Sequence, residues 1–362
     1  MHTLEWQRFD LNFKKPAKTS RGAYTQKTVF IIGLSKGTGF GIGEIATLPD
    51  LSIDGQVDYE SLLPEIATML HSEDGYAAVF ENYSHLPALL FALESAEMQL
   101  QHKPGILVKS PFTGGEADIL INGLVWMGTA EAMLEEAIGK LESGFSCMKF
   151  KVGAQDHDAE CRMLEQVRKH PLGEKATIRL DANGAYAFDE VGHLLKDLHR
   201  FHIHSIEQPI KAGQWDAMQE VCAKSPIEIA LDEELIGVPV DDAAKLLRYI
   251  QPDWIILKPS LLGGFSKCNT WIREAQEQNI GWWATSALES NIGLSHIAQW
   301  VSQFPLSMHQ GLGTGSLFKE NFHAQTHLRG EQLHFTQHSL FAQRGIAHLS
   351  ALGLSLIPEI QE

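Results

Sequence analysis

The sequence predicts an α/β protein in which a (β/α) barrel follows a smaller α+β domain. Three observations carry this expectation. After Pro104, short apolar runs alternate with helical patterns eight times, over the roughly 200–250 residues that a parallel sheet closed on itself requires. Five consecutive apolar runs end on a charged residue, at intervals of one βα unit. The residues before Pro104 lack that alternation.

Residues 1–105 read as the α+β domain. KTVFIIGL (27–34), the glycine-rich turn SKGTG and FGIGEIATL predict an antiparallel pair. Leu62–Leu70 and Leu86–Leu100 read as helices. In the second, Leu86, Leu89, Leu90, Leu93 and Leu100 form an apolar stripe, and Pro87 falls in the first turn, where no N–H is missed. Residues 106–328 read as the barrel. It opens with ILINGLVWM and AEAMLEEAIGKLESG, then SCMKFKV and DAECRMLEQVRKH, then ATIRLDAN and FDEVGHLLKDLHR. HSIEQP, EIALDEE, DWIILKPS and GWWATSALE follow, each ahead of a helical pattern, and PLSMHQGLGTG is the eighth strand. Residues 329–362, which include QLHFTQHSLF, are expected to return to the first domain.

Composition narrows the function classes. The chain has 362 residues, 44% of them hydrophobic, enough for a large core. Its net charge of −16 and lack of a basic run argue against nucleic acid and anionic membrane as partners. Apolar runs such as DWIILKP (253–259) are strand-sized and far short of a membrane span. No charged stretch followed by an apolar one opens the chain, so no secretory signal is expected. Cys147, Cys161, Cys222 and Cys268 form no C-x-x-C pair, as expected of reduced packing cysteines in a cytoplasmic protein.

In CMKFKVG (147–153), Lys149 and Lys151 share one strand face, and burying an unpaired ammonium is costly. The barrel offers partners. Lys151, Asp181, Glu207, Asp232 and Lys258 each end a predicted strand, spaced by 30, 26, 25 and 26 residues. Barrel sites form at the C-terminal ends of strands, so five successive strands bring Lys, Asp, Glu, Asp and Lys to one rim. Singly, such an Asp is usually a cap or turn residue and such a Lys a solvated edge; the shared period makes the set a site. Three close carboxylates raise one another's pKa and take up protons unless a cation holds them. Asp181, Glu207 and Asp232 are hard oxygen ligands suited to Mg²⁺, with Mn²⁺ as a substitute, and leave positions for water and the oxygens of a small-molecule substrate.

At these residues the chain resembles the enolase superfamily, in its muconate-lactonising-enzyme-like group. MKFKVG, RLDANGAY, IEQP, LDEEL, LKPSLLGG and SALESNIGL carry the resemblance, which covers most of the chain. It implies a modified TIM barrel with an N-terminal α+β capping domain completed by the C-terminal segment. It also implies Mg²⁺-assisted proton abstraction beside a carboxylate, chemistry established for that superfamily as a whole. Within the group, INGLVWMG, TSALESNIGL and QGLGTG resemble the o-succinylbenzoate synthases of menaquinone biosynthesis. Ser20-Arg21-Gly22 resembles a mobile capping-domain loop, with Arg21 as a substrate contact. Dipeptide epimerases tend to carry an Asp two residues past the sixth-strand lysine and an acidic motif on strand eight; here Ser260 follows Lys258, and strand eight gives GLGTGS.

The implied reaction removes a proton α to a carboxylate and expels a β-hydroxyl. A cation at the three carboxylates offsets the developing charge. Lys151 is the expected base, and Lys149 keeps it deprotonated by like-charge repulsion; the alternative for Lys149 is a structural ion pair. Lys258, across the metal, stays charged and stabilises the ene-diolate, or serves as a second base in a racemase. Arg179, on the face of Asp181, is a substrate or carboxylate contact, or else forms a salt bridge inside the barrel. Asn183 and Ser286 match substrate-contacting positions of the family. Gly311–Gly315 present backbone N–H groups to a substrate carboxylate, or simply form a tight turn. Glu233 is expected beside the metal ligands rather than among them. GTGFGIG lacks the strand–helix context of a dinucleotide fingerprint, the 17 histidines show no metal-ligand spacing, and Trp282-Trp283 reads as packing. Three functions follow: the synthase dehydration; an N-acyl amino acid racemase, dipeptide epimerase or muconate cycloisomerase on the same lysines; or a non-catalytic metal-holding barrel, against which all five charged positions argue.

Overall fold

A computed structural model of the chain describes residues 1–19, 22–103, 105–337 and 348–358. Three antiparallel strands begin it, β1 (Thr3–Thr19), β2 (Gly22–Lys36) and β3 (Gly39–Ile45). The predicted pair is β2 and β3, with Lys36 opposite Gly39 at the hairpin. The sequence reading has no counterpart for β1. Its register against β2 breaks between Asn12 and Ala17, where Lys14, Lys15 and Pro16 interrupt any alternation. Helices α1 (Tyr59–Leu70), α2 (Gly75–Asn82) and α3 (Pro87–Gln99) follow. α3 carries more than a stripe: Leu89, Leu90, Phe91 and Leu93 are all buried, because the helix lies between the sheet and the barrel. Its seat on β3 is made by glycine. A Cβ at Gly41 would fall 2.0 Å from the Ala96 carbonyl oxygen, and one at Gly43 2.0 Å from that of Ala92. Two strand residues and four helix residues each advance about 6–7 Å, so glycine at alternate strand positions meets successive helical turns. This is the physical use of GTGFGIG.

The barrel sheet is parallel throughout. Its strands are β5 (Gly123–Val125), β6 (Cys147–Lys151), β7 (Thr177–Asp181), β8 (Ser205–Glu207), β9 (Glu228–Leu231), β10 (Trp254–Leu257) and β11 (Gly281–Ala284), adjacent in that order. Between them run α4 (Ala130–Glu142), α5 (His157–Lys169), α6 (Phe188–His199), α7 (Trp215–Lys224), α8 (Ala243–Ile250), and a pair, α9 (Pro259–Leu262) and α10 (Phe265–Glu277); α11 (Asn291–Val301) comes last. Gln310 bridges Ile121, and Gly311 bridges Thr285. The eighth predicted strand thus closes the ring through two residues rather than a full strand.

Outward strand residues such as Met148, Phe150 and Leu180 pack against the helices in the main core. A second apolar cluster joins Val29 and Ile31 of β2 to Leu261, Ala287 and Leu288, which follow the ends of β10 and β11. The three-stranded sheet therefore caps the end of the barrel where functional groups collect.

The C-terminal part divides. β13 (Thr326–Arg329) and β14 (Gln332–Phe335) pair with each other, and β14 pairs with β4 (Ile119–Leu120). Glu331 accepts the Ser146 N–H at 2.7 Å, just ahead of β6. QLHF thus covers the foot of the barrel instead of returning to the first domain. Residues 348–358 lie against the first domain, where Leu349 and Leu352 pack with Leu11 and Ile31 and Glu5 accepts the Leu349 N–H at 2.7 Å, while β15 (Ile357–Pro358) pairs with β12 (Glu320–Asn321) of the barrel segment. The remainder of QLHFTQHSLF lies outside the described residues from position 338 on. Among the described residues no helix is long and apolar enough to cross a membrane. The four cysteines are free thiols.

Candidate active site

Strand alternation sends Met148 and Phe150 outward into the core and Lys149 and Lys151 inward. Parallel register sets Lys151 beside Asp181 and Asp181 beside Glu207, so three strands deliver one level of the rim. Asp232 and Lys258 directly follow β9 and β10. Both lysines of CMKFK find partners. Lys149 Nζ lies 2.8 Å from Asp181 Oδ2 and 2.6 Å from Glu207 Oε2. Lys151 Nζ lies 2.6 Å from the same Asp181 oxygen and donates to Asn183 Oδ1 at 2.7 Å. Lys258 Nζ donates to Asp232 Oδ2.

The three carboxylates are 2% exposed or less, and their charges are set by competition. Burial alone would raise Asp181, but the Lys149 and Lys151 ammonium groups hold it well below the usual carboxylate range. Burial and the neighbouring Asp181 push Glu207 up to about 8, against the pull of Lys149. Burial also raises Asp232, with Lys258 opposing and Glu233 adding to the rise. Burial would discharge Lys149 and Lys258, yet the carboxylates outweigh it and hold both above the ordinary lysine value. Lys149 thus forms a buried ion pair with Asp181 and Glu207. Lys149 and Lys151 touch the same oxygen of Asp181, so a carboxylate stands between the two charges expected to repel.

A cavity opens above this row, lined by Lys149, Lys151, Lys258, Asn183, Ser286 and Gly311 among others. Asn183, at φ 45°, also donates to Glu233 Oε1 at 2.9 Å, and so ties Lys151 to Glu233. Ser286 Oγ is hydrogen-bonded to Thr314 Oγ1. The Gly311 N–H is already engaged: it donates to the Ala284 carbonyl at 2.8 Å. A Cβ there would sit 2.3 Å from Thr285 Oγ1, so the glycine serves ring closure. Arg179 is not among the lining residues. It is buried one layer below Asp181, where its guanidinium stacks over Trp283 at 4.0 Å and donates to the His309 carbonyl at 2.8 Å. Trp283 is thus packing, as expected, against a cation. Arg21 lies outside the described residues. The sequence reading missed Tyr24, Leu48 and Leu51, which line the cavity from the capping domain, and Trp126 and Thr314 from the barrel. Trp126 lies inside INGLVWMG, where a signal existed; the capping residues carry none.

Asp181, Glu207 and Asp232 are the residues that could hold a divalent cation. Among the described residues no three carboxylate, imidazole or thiol groups already converge as a metal cage, because ammonium groups engage Asp181 and Asp232. The donor set nevertheless suits a hard cation. Neither Glu207 oxygen has an aligned hydrogen-bond donor, although both are buried.

The Enolase C-terminal domain-like family model matches residues 132–339, which span nearly all of this barrel. The chain belongs to the enolase superfamily. Among the relatives of this superfamily member, an o-succinylbenzoate synthase of Desulfotalea psychrophila is 42% identical over 348 residues, covering 88% of this chain and 95% of that protein. An L-Ala-D/L-Glu epimerase of Bacillus subtilis is 24% identical over 310 residues, covering 83% and 84%. The crystal structure of MenC from Desulfotalea psychrophila matches with a TM-score of 0.83 at 38% identity, covering 92% of this chain and 99% of that one. The substrate-liganded Bacillus subtilis epimerase matches with a TM-score of 0.81 at 21% identity, covering 92% and 95%, a likeness of fold alone.

Proposed function

We propose that this enolase-superfamily chain carries out the o-succinylbenzoate synthase reaction of menaquinone biosynthesis in the cytoplasm. It dehydrates 2-succinyl-6-hydroxy-2,4-cyclohexadiene-1-carboxylate to 2-succinylbenzoate. The observation that carries the reading is the 42% identity to an o-succinylbenzoate synthase across 88% of the chain. The lysines on both sides of the carboxylate row, open to one cavity, support it.

A Mg²⁺ ion held by Asp181, Glu207 and Asp232 would supply positive charge beside the substrate carboxylate as it gains electron density. The proton traffic belongs to Lys151. Its neutral amine takes the α-proton, and the C–H electron pair forms the new ring double bond as the β-hydroxyl departs with the C–O pair. The same proton then passes from Lys151 to that hydroxyl, which leaves as water on the same face. Asn183 accepts from Lys151 and is itself held by Glu233, which aims the amine. Lys258, charge-paired with Asp232, remains an ammonium and gives fixed positive charge on the other side. The test is turnover by purified protein of the hydroxycyclohexadiene carboxylate, beside a panel of N-acyl amino acids and dipeptides. Aromatic succinylbenzoate is expected. Efficient racemisation of the panel with no aromatic product would replace this reading with that of a racemase.

A further inference from the structure

One buried lysine of the capping sheet lies outside the machinery described so far. Lys27 is 4% exposed, on the face of β2 that carries Val29 and Ile31 against the barrel. Its Nζ donates to the Ala287 carbonyl at 2.8 Å and to the Leu288 carbonyl at 2.9 Å. These two residues, with Ser286, form the wall of the cavity where the capping domain meets the barrel. We propose that Lys27 is a positioning residue for the active site: by holding the Ala287 and Leu288 carbonyls it sets the Ser286–Leu288 wall, and through that wall the binding of substrate.

The wall is held from two sides. Glu289, fully buried, accepts the Ala287 N–H at 2.7 Å through one carboxylate oxygen and the Ser260 hydroxyl through the other. Ala287 is therefore gripped at its N–H from the barrel and at its carbonyl from the capping sheet. Ser260 lies two residues past Lys258, so the same chain of contacts runs back to a lysine of the site. Leu288 has φ 62°, a conformation that a leucine keeps only where its surroundings enforce it. Simple docking of the two domains does not require this arrangement. Apolar contacts dock them already, and two capping-domain carboxylates cap barrel helices: Glu44 accepts the Ser290 and Gly293 N–H groups at 2.8 Å each at the start of α11, and Glu94 accepts those of Phe265 and Ser266 at the start of α10. An ammonium in this interface is a costly choice that needs polar partners, and the two carbonyls it donates to lie in the cavity wall.

The proposal rests on the synthase reading only for its kinetic arm. Lys27→Met, Lys27→Arg and Glu94→Gln are compared with wild type in steady-state dehydration and in amide hydrogen exchange. Lys27→Met is expected to raise KM about tenfold with kcat changed far less, since a displaced wall weakens binding of ground state and transition state alike. It should also speed exchange at residues 286–290 and leave α10 protected. Lys27→Arg keeps donors for both carbonyls and should recover most of the loss. Glu94→Gln, which touches no lining residue, should loosen α10 with KM unchanged. Should Lys27→Met aggregate, Lys27→Gln, whose shorter side chain still donates through its amide, replaces it with an intermediate effect expected. Unchanged exchange at 286–290 in Lys27→Met, or in Lys27→Gln where that replaces it, overturns the proposal, as does an equal rise of KM in Glu94→Gln. If wild type forms no succinylbenzoate, the synthase reading fails, and the exchange arm still decides the role of Lys27.

Discussion

Gly43→Ala probes how the capping domain is seated over the site. The added Cβ would stand 2.0 Å from the Ala92 carbonyl oxygen, 2.6 Å from its carbonyl carbon and 2.9 Å from its Cα. Ordinary contact begins at 3.4 Å, so α3 must withdraw by roughly 1.4 Å to accept the methyl group without overpacking. It has nowhere to go. On its far side Phe91 meets Phe265 edge-on with ring centroids 5.3 Å apart, and Glu94 holds the first turn of α10. A clash with rigid backbone, backed on both sides, belongs at the upper end of overpacking costs, about 3 kcal/mol. With an unfolding entropy of about 2 cal/mol/K per residue, and the chain unfolding as one unit, this lowers Tm by about 4 °C. Scanning calorimetry of Gly43→Ala beside Gly139→Ala is the assay. Gly139 lies exposed within α4, and a Cβ there meets nothing within 4 Å, so its alanine should stabilise by up to about 1 kcal/mol. If Gly43→Ala melts within 1 °C of wild type, the helix seat is not what the glycine serves.

The remaining predictions concern charge. Lys151→Arg should lose about 10²–10⁴ in dehydration rate, the span of a lost general base, while Lys258→Arg retains more, because arginine keeps the charge but gives up no proton; single-turnover dehydration decides, and the reverse order would exchange the two roles. Chelation should abolish turnover and Mg²⁺ or Mn²⁺ restore it, with Asp232→Asn weakening metal affinity by calorimetry; full activity in excess chelator refutes a metal at these carboxylates. His296 is buried, and burial lowers its pKa to about 3. The unfolded chain then binds a proton below about 6.5 that the folded chain refuses, so stability falls as pH drops through that value. Between pH 7.5 and 5.5 the loss is about 1.4 kcal/mol, read as the difference between urea unfolding of wild type and of His296→Gln; parallel pH profiles for the two would show that His296 does not titrate in this window.

The site was legible where sequence distance maps onto rim position. A βα unit has a nearly constant length, so charges spaced by 30, 26, 25 and 26 residues land on neighbouring strands at one level, and the register of Lys151, Asp181 and Glu207 follows. The same rule gives the face of a residue but not its depth. Arg179 shares the inward face of Asp181, yet two residues earlier means one layer lower, onto Trp283 and away from the cavity. Gly311 shows a second limit: a glycine at the right place for a free N–H is instead committed to closing the ring, a demand visible only once β5 and β11 are known to need a bridge. QLHF reads as a strand wherever it lies, and its partner at residues 119–120 is more than 200 residues away. The capping contacts are the hardest case, because Leu48, Leu51 and Lys27 acquire roles only when two domains dock. Lys149 and Lys27 make the contrast sharp. Both are buried ammonium groups, but the partners of Lys149 recur at the period of the fold, whereas those of Lys27 are backbone carbonyls about 260 residues on. Side chains paired with side chains leave a trace in the sequence; a side chain paired with backbone leaves none, and residues that shape a cavity wall by that route must be read from the folded chain.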